Sequence, residues 1–252
     1  ALPTLSQARE AWGRITPLVG SSEAYDDGTT TRPPPPPRPP PVAPRSTGVP
    51  PVIEVDRVAY RYPGRSAPVF EDVSLTIAPG ERLLIEGPSG GGKSTLAALL
   101  TGLKAPSGGT LRLHDQDQRS LGLARWRRAV AGAPQFHDNH VMGADLLFNL
   151  LMGRRWPPRA EDLAAAERVC HELGLRPLLD RMPAGLFQLV GETGWQLSHG
   201  ERSRLFVARS LLQELDARVL DESFASLDPQ TLEAVLAAVL ARPEVLIVIA
   251  HP

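Results

Sequence analysis

A glycine-rich stretch at residues 87–94 is the clearest sign of chemistry in the chain. It reads Gly-Pro-Ser-Gly-Gly-Gly-Lys-Ser and matches the pattern G-x-x-x-x-G-K-[S/T] in full. Glycines let successive backbone N–H groups turn inward around a phosphate, and the N-terminus of a following helix adds the positive end of its dipole. The stretch therefore predicts a phosphate-binding loop for ATP or GTP.

The positions of this loop have separate tasks. Lys93 supplies a point charge to the β- and γ-phosphates, and the Ser94 hydroxyl can hold Mg²⁺. Only Lys93 and Lys104 are lysines among the 27 basic residues, so a chain that otherwise uses arginine keeps lysine where a compact charge is needed. The residues expected to bind the nucleotide phosphates are Gly87, Pro88, Ser89, Gly90, Gly91, Gly92, Lys93, Ser94 and Thr95.

An acidic pair, Asp221-Glu222, follows the stretch Ala-Arg-Val-Leu at residues 217–220. Hydrolysis of a γ-phosphate needs charge neutralisation, a positioned water and a base. Asp221, at the end of a predicted strand, is placed to bind Mg²⁺ directly or through water. Glu222 would point to the other side of the extended chain and polarise the attacking water. A solvated turn is the alternative interpretation, but the phosphate-binding loop favours the catalytic one.

The elements that position these residues begin near Val52, where short apolar runs alternate with helical patterns typical of an α/β domain. Strands are predicted at 52–55, 73–77, 82–86, 110–113, 217–221 and 245–250. Helical patterns cover 93–103, 146–175, 201–213 and 230–241. The strand at 82–86 runs into the glycine cluster and the helix from Lys93 leaves it, which is the context that a phosphate-binding loop requires.

Composition excludes several classes of protein. A formal net charge of −1 and a pI near 6.7 argue against a nucleic-acid partner. One cysteine, Cys170, excludes an internal disulfide framework and fits a reducing compartment. No apolar run in the sequence approaches the roughly 18 residues that a membrane helix needs.

Residues 1–51 differ from the remainder, and we expect a helical tail followed by a proline-rich linker, largely disordered. Residues 33–41 read PPPPPRPPP, which cannot form a helix or a β-ladder and should be extended polyproline II. The interpretation we favour is a stiff spacer. The same composition also suits a ligand for an aromatic-lined groove.

Residues 197–201, Leu-Ser-His-Gly-Glu, together with the following RSRLFVARSLL, resemble the signature motif of the ATP-binding-cassette (ABC) ATPases. Further matches run in the family's order between Val52 and Pro252. They are Tyr62 as the aromatic residue that stacks on adenine, Gln135 in the Q-loop, Asp221-Glu222, Asp228 in the D-loop, and His251 as the switch histidine.

This resemblance implies a fold and an activity. The fold class is α/β: a P-loop NTPase core with a parallel central sheet, an N-terminal antiparallel β subdomain, and an inserted α-helical subdomain that carries the signature motif. The ATPase domain would span 52–252, with the helical subdomain at about 136–205 and a truncation after His251. The activity implied is ATP hydrolysis with ATP and Mg²⁺ as cofactors.

The resemblance also gives roles to residues that are unremarkable by themselves. Glu222, His251 and Gln135 would be catalytic. The Mg²⁺ ligands would be Ser94, Gln135 and Asp221. Since these ATPases hydrolyse ATP between two domains arranged head to tail, Ser198, Gly200 and Asp228 would contact the nucleotide that the partner holds.

The implied partners are a second ABC ATPase domain, in a homo- or heterodimer, and a transmembrane permease domain. Residues 190–194, Val-Gly-Glu-Thr-Gly, resemble the loop by which exporters contact that domain. The N-terminal AREAWGRITPLV resembles an exporter's connecting segment, so we expect the permease to be fused upstream of Ala1 and the domain to lie on the cytoplasmic face of the cell (inner) membrane. The alternatives are a separate ATPase subunit of an importer, or a soluble non-transport ABC ATPase.

Two residues depart from the family's pattern. His199 replaces the first glycine of the signature pair, where a side chain would crowd the partner's nucleotide. Arg218 interrupts the apolar run before Asp221. Because a buried unpaired charge is costly, we expect Arg218 to turn outward or to find an acidic partner.

Overall fold

The computed structural model describes residues 50–133, 140–224 and 226–250. These residues belong to two compact units. The first contains the chain up to Trp126 and again from Ile247, and the second is Arg127–Leu246. No helix among the described residues has the length and apolarity that a bilayer crossing requires.

An antiparallel sheet of four strands forms much of the first unit. Its strands are β1 (Ile53–Tyr60), β2 (Phe70–Ile77), β4 (Gly108–Leu113) and β5 (Gln116–Asp117), in the order β2-β1-β4-β5. Ile53 pairs with Ile77 on one side and with Leu113 on the other, and all three side chains are buried. Alternation along each strand therefore gives the sheet one apolar face, as the predicted N-terminal β subdomain requires.

The phosphate-binding loop of the first unit joins β3 (Arg82–Glu86) to helix α1 (Lys93–Leu100). Strand β8 (Val245–Ala250), whose last four residues belong to this unit, is a hydrogen-bonded neighbour of β3. Helix α1 ends earlier than the predicted 103, because Gly102 adopts a φ of 70° that stops the helical path. Two short helices follow β5, α2 (Gln118–Leu121) and α3 (Leu123–Ala129).

The second unit contains the parallel pair β6 (Val130–Ala133) and β7 (Ala217–Asp221). All five residues of β7 are buried. A Cβ on Gly132 would lie 1.7 Å from the carbonyl oxygen of Val219, so only glycine allows the two backbones to come this close. Val245, the first residue of β8, also belongs to this unit. Its N–H donates to the carbonyl of Asp216, the residue before β7, at 3.0 Å.

Helices fill the long connection between β6 and β7. They are α4 (Leu146–Leu151), α5 (Ala160–Glu172), α6 (Arg176–Arg181), a 3₁₀ turn at Gly185–Phe187, and α7 (His199–Leu211), while α8 (Pro229–Leu240) follows β7. The helical pattern predicted over 146–175 is therefore divided. Pro157 and Pro158 lie in the break, where proline cannot continue a helix interior. The predicted α/β class, with an antiparallel sheet, a parallel pair and an inserted helical region, is confirmed.

Arg218 forms an ion pair with Glu244, which is one of the two outcomes predicted for it. The guanidinium Nη2 lies 2.5 Å from Glu244 Oε1, and the side chain is only 2% exposed. Its Nη1 also donates to the Ser210 hydroxyl at 2.8 Å. Burial lowers the pKa of Arg218, and the Glu244 carboxylate opposes that shift. The charge that interrupts β7 is thus paired within the second unit.

Candidate functional site

The phosphate-binding loop depends on backbone conformations that glycine adopts most readily. Gly90 and Gly92 have φ values of 80° and 85°. Gly92 is also the N-cap of α1, and a Cβ there would lie 2.7 Å from Val69 Cγ1. Sterics therefore require glycine at Gly92, in agreement with the motif.

Lys93 turns its ammonium group back onto the loop. Its Nζ donates to the Gly87 carbonyl at 2.7 Å and to the Pro88 carbonyl at 2.9 Å, and the residue is 8% exposed. Ser94, the next residue of α1, is exposed, and Thr95 is buried. A compact positive charge and an accessible hydroxyl thus lie at the start of the helix, where the helix dipole also favours an anion.

Tyr62 lies against the same helix. Its hydroxyl is 3.1 Å from the Thr95 hydroxyl, within hydrogen-bond distance. Its ring meets that of Tyr60 edge to face, with 5.1 Å between centroids. The first unit therefore brings together the predicted adenine-stacking residue and the phosphate-binding loop. In the sequence, strands β2 and β3 lie between them.

Asp221 is the last residue of β7 and is 4% exposed. Glu222 does not continue the extended chain as expected, because its φ of 50° is left-handed. Such a conformation costs a non-glycine residue on the order of 1–3 kcal/mol and tends to occur at functional sites. The neighbouring Ser223 hydroxyl, buried, lies 3.4 Å from the Ala133 carbonyl of β6. Glu222 is half-buried at the turn where the strand ends.

The signature motif forms the capped N-terminus of α7. The Ser198 hydroxyl accepts from the Glu201 N–H at 3.2 Å, and the Glu201 carboxylate accepts from the Ser198 N–H at 2.8 Å. Arg181 pairs with the same carboxylate. Burial alone would raise the pKa of Glu201, but the hydrogen bonds from Ser198 and the pairing with Arg181 outweigh it and lower that pKa. His199 is exposed at the first helical position, and Gly200 follows it half-buried.

The D-loop residues also lie in the second unit. The Ser226 hydroxyl is 2.5 Å from the Ser203 hydroxyl on α7. Asp228 caps α8, and its Oδ1 accepts from the Thr231 N–H at 3.0 Å. The hydrogen bonds from Thr231 lower the pKa of Asp228. Asp228 thus has a structural task at the helix end in addition to the predicted one.

The predicted site residues divide between the two units. Tyr62 and the loop 87–95 belong to the first, and Asp221, Glu222, Ser198, Gly200 and Asp228 belong to the second. Gln135 and His251 lie outside the described residues. Sequence reasoning did not find Arg181 or Ser203, because neither stands at a helical or strand spacing from its partner.

Comparisons with known proteins agree with this geometry. The family profile described as "ABC transporter" matches residues 70–225. An ATP-dependent lipid A-core flippase of Dechloromonas aromatica is 34% identical over 206 residues, covering 79% of this chain and 34% of the flippase. The mycobactin import ATP-binding/permease protein IrtB of Mycolicibacterium thermoresistibile is 36% identical over 209 residues, covering 81% of this chain and 34% of IrtB.

A solved structure gives the same result. A bacterial Atm1-family ABC exporter with ATP bound superposes with a TM-score of 0.71 at 30% identity, covering 80% of this chain and 34% of the exporter. The chain spans about a third of the length of these relatives. The matching profile covers more than half of the chain, and the fold and the ordered motifs agree with it. The chain belongs to the ABC transporter family and contains its ATP-binding ATPase domain.

Proposed function

We propose that this chain is the ATP-hydrolysing motor domain of an ABC exporter, which dimerises around two Mg-ATP to drive transport across a membrane. The observation that carries the proposal is the arrangement of Tyr62, Lys93 and Thr95 around one loop in the first unit. The aromatic ring suits the base of a nucleotide, and the compact charge and the hydroxyl suit its phosphates.

Lys93 is well placed to respond to a triphosphate. In the described structure its ammonium is held by two carbonyls of the loop itself. A phosphate oxygen carries more negative charge than a carbonyl, so a bound nucleotide would draw the ammonium into charge-assisted hydrogen bonds. The ammonium and the loop carbonyls thus lie where the phosphates of a nucleotide would bind.

The proposed Mg²⁺ ligands suit that ion by their chemistry. Mg²⁺ prefers oxygen donors and keeps several waters, and the proposed donors are the Ser94 hydroxyl, the Gln135 amide oxygen and the Asp221 carboxylate. When bound, Mg²⁺ would neutralise charge on the β- and γ-phosphates. Asp221 lies buried at the end of β7, in the position proposed for this ligand.

We assign the general-base role to Glu222. Its left-handed backbone directs it away from the path of β7, so it leaves the strand at a different angle from Asp221. Two adjacent acids can thereby serve different partners, Asp221 the metal and Glu222 the attacking water. Gln135 and His251 are the proposed residues that position that water and the γ-phosphate.

The N-terminus of α7 is the proposed contact to a second ABC ATPase domain. Ser198 and Gly200 would present the helix's first backbone amides to the phosphates that the partner holds. Glu201 lies in the same turn, where its charge would repel a phosphate. Its pairing with Arg181 offsets that repulsion and leaves the helix end suited to an anion.

A transmembrane permease domain, fused upstream of Ala1, is the proposed second partner. Phe148 and Trp156 in the second unit are 36% and 53% exposed, and their rings meet edge to face at 5.3 Å. Also in this unit is a cavity of about 180 Å³, lined by His140, Val141, Gly191, Glu192, Gln196, Leu197 and Arg202. These features of 140–156 and 190–197 support a coupling surface, and with it a location on the cytoplasmic face of the cell (inner) membrane.

Export is the proposed direction because the solved relative is an Atm1-family exporter and residues 190–194 resemble the exporter loop. The relatives differ in cargo, from a lipid A-core flippase to mycobactin import and microcin secretion, so the shared ATPase domain does not define a cargo.

The test is nucleotide-driven dimerisation of the Glu222→Gln chain, measured by light scattering in the presence of Mg²⁺ and excess ATP. We expect a dimer with ATP and a monomer without it, since Glu222→Gln should slow hydrolysis and retain the nucleotide. Lys93→Ala introduced into Glu222→Gln should abolish both ATP binding and dimerisation. The matched control is Glu233→Gln, on an exposed position of α8, which should hydrolyse ATP like the unaltered chain. A Glu222→Gln chain that stays monomeric at saturating ATP would refute the proposal.

A further inference from the structure

Lys104, the second lysine of the chain, lies against the aromatic pair Tyr60 and Tyr62. Its Nζ is 5.0 Å from the centroid of the Tyr62 ring and 5.9 Å from that of Tyr60. Both distances are within the ~6 Å at which an ammonium group is attracted to the face of an aromatic ring. The contact joins the segment after α1 to the segment after β1, both in the first unit.

A hydrogen-bonded turn after α1 places Lys104 in this position. Helix α1 ends at Leu100, and the left-handed Gly102 follows it. The N–H groups of Leu103 and Lys104 both donate to the Ala98 carbonyl, at 2.7 and 2.9 Å. The Lys104 side chain is half-buried. Arg65 also approaches the Tyr62 ring, but at 6.0 Å and from an exposed turn, so Lys104 is the closer and less exposed cation.

Tyr62 is consequently held by three different groups. Its hydroxyl shares a hydrogen bond with the Thr95 hydroxyl, Tyr60 meets its ring edge to face, and Lys104 lies over the ring. A ring that is oriented before its ligand arrives loses less conformational freedom on binding, which raises affinity.

We propose that Lys104 is a positioning residue for the base of the bound nucleotide, acting by holding Tyr62 in its stacking orientation. The inference rests on the proposed function, in which the loop binds ATP and Tyr62 stacks on adenine. It adds a residue that acts through Tyr62 and makes no contact with the phosphates.

Calorimetric titration of Lys104→Met with ATP and with inorganic tripolyphosphate tests this role. Methionine keeps the length of the side chain and removes its charge. The Kd for ATP should rise roughly threefold to tenfold, while the Kd for tripolyphosphate, which has no base, should not change. Lys104→Arg, which keeps the charge, should recover most of the affinity for ATP. An equal loss for both ligands would show a general attraction to phosphate and would overturn the inference, as would an unchanged Kd for ATP.

A double-mutant cycle with Tyr62→Leu separates positioning from any other effect. Lys104→Met should cause no further loss of ATP affinity in the Tyr62→Leu chain. A full additional loss there would contradict the inference. The matched control is Arg125→Met, which removes a charge from an exposed position of α3 and should bind both ligands like the unaltered chain.

The two proposals fail in different ways. If Lys93→Ala binds ATP undiminished, or the unaltered chain binds no ATP, both proposals are overturned. If Lys93→Ala and Tyr62→Leu lose affinity but Lys104→Met does not, the proposed function stands and only the role of Lys104 is lost.

Discussion

Arg181 pairs with Glu201 at the N-terminus of α7, although twenty residues separate them. The pair brings a positive charge to the helix end that carries the signature motif. The Glu201 side chain is 11% exposed, and Arg181 approaches it from α6. Helix capping and charge compensation therefore meet at one carboxylate.

Replacing Arg181 by methionine should weaken ATP-driven dimerisation without changing ATP affinity. The change leaves the Glu201 charge uncompensated beside the phosphate that α7 is proposed to meet. We expect the dimer dissociation constant, measured by light scattering in the Glu222→Gln background, to rise about fivefold to tenfold. Arg176→Met is the control, because Arg176 forms an exposed pair with Asp180 on the same helix. Equal effects of the two substitutions would contradict the prediction.

The stability contributed by Glu201 should depend on pH. Its folded-state pKa is lowered, so the ionised carboxylate stabilises the fold above an unfolded-chain pKa of ~4.3. This contribution is lost as the pH falls through the lower folded-state pKa. The difference in unfolding free energy between the unaltered chain and Glu201→Gln, measured in urea, should shrink below about pH 4. A difference that stays constant from pH 7 to 3 would argue against ionisation as its source.

Removal of Glu244 should be among the most destabilising single changes in the second unit. Glu244→Ala leaves the Arg218 guanidinium buried without its carboxylate, at a cost of about 3–5 kcal/mol. Replacing both residues, as Arg218→Met with Glu244→Met, should recover much of that loss, because no buried charge remains. Urea unfolding measures both. A double variant as unstable as Glu244→Ala would show that packing, not the charge, is responsible.

His199→Gly should increase the ATPase rate of the dimer by severalfold, about twofold to tenfold, if the exposed side chain at the first position of α7 crowds the partner's nucleotide. The affinity of the monomer for ATP should not change, since His199 and the phosphate-binding loop act on different nucleotides. Steady-state phosphate release and calorimetry provide the two measurements. A lower rate in His199→Gly would instead assign His199 a favourable contact.

Three strands were predicted to the residue, because each is a short run rich in apolar residues. β3, β7 and β8 were expected at 82–86, 217–221 and 245–250, and they occur at those bounds. Strand β6 was not expected, because Val-Ala-Gly-Ala has weak β propensity and pairs through the close approach that Gly132 allows. Local sequence gives no signal for such a pairing.

The candidate site divides in a similar way. Motif spacing predicts roles for Lys93 and Ser198, whose observed contacts are with neighbours in sequence. The left-handed backbone of Glu222 was not predictable, because tertiary contacts impose such a conformation on a non-glycine residue. Arg181 and Lys104 reach their partners through the folded chain, so their roles appear only in three dimensions.

The scarcity of lysine has a chemical consequence for this polypeptide. Reagents and cellular metabolites that acylate or carbamylate side-chain amines find only Lys93 and Lys104 in the chain. One ammonium is held by the carbonyls of the phosphate-binding loop, and the other lies over the Tyr62 ring. Most proteins carry many such amines on surfaces where modification changes little. Here modification of a lysine side chain falls on the proposed nucleotide-binding region of the first unit.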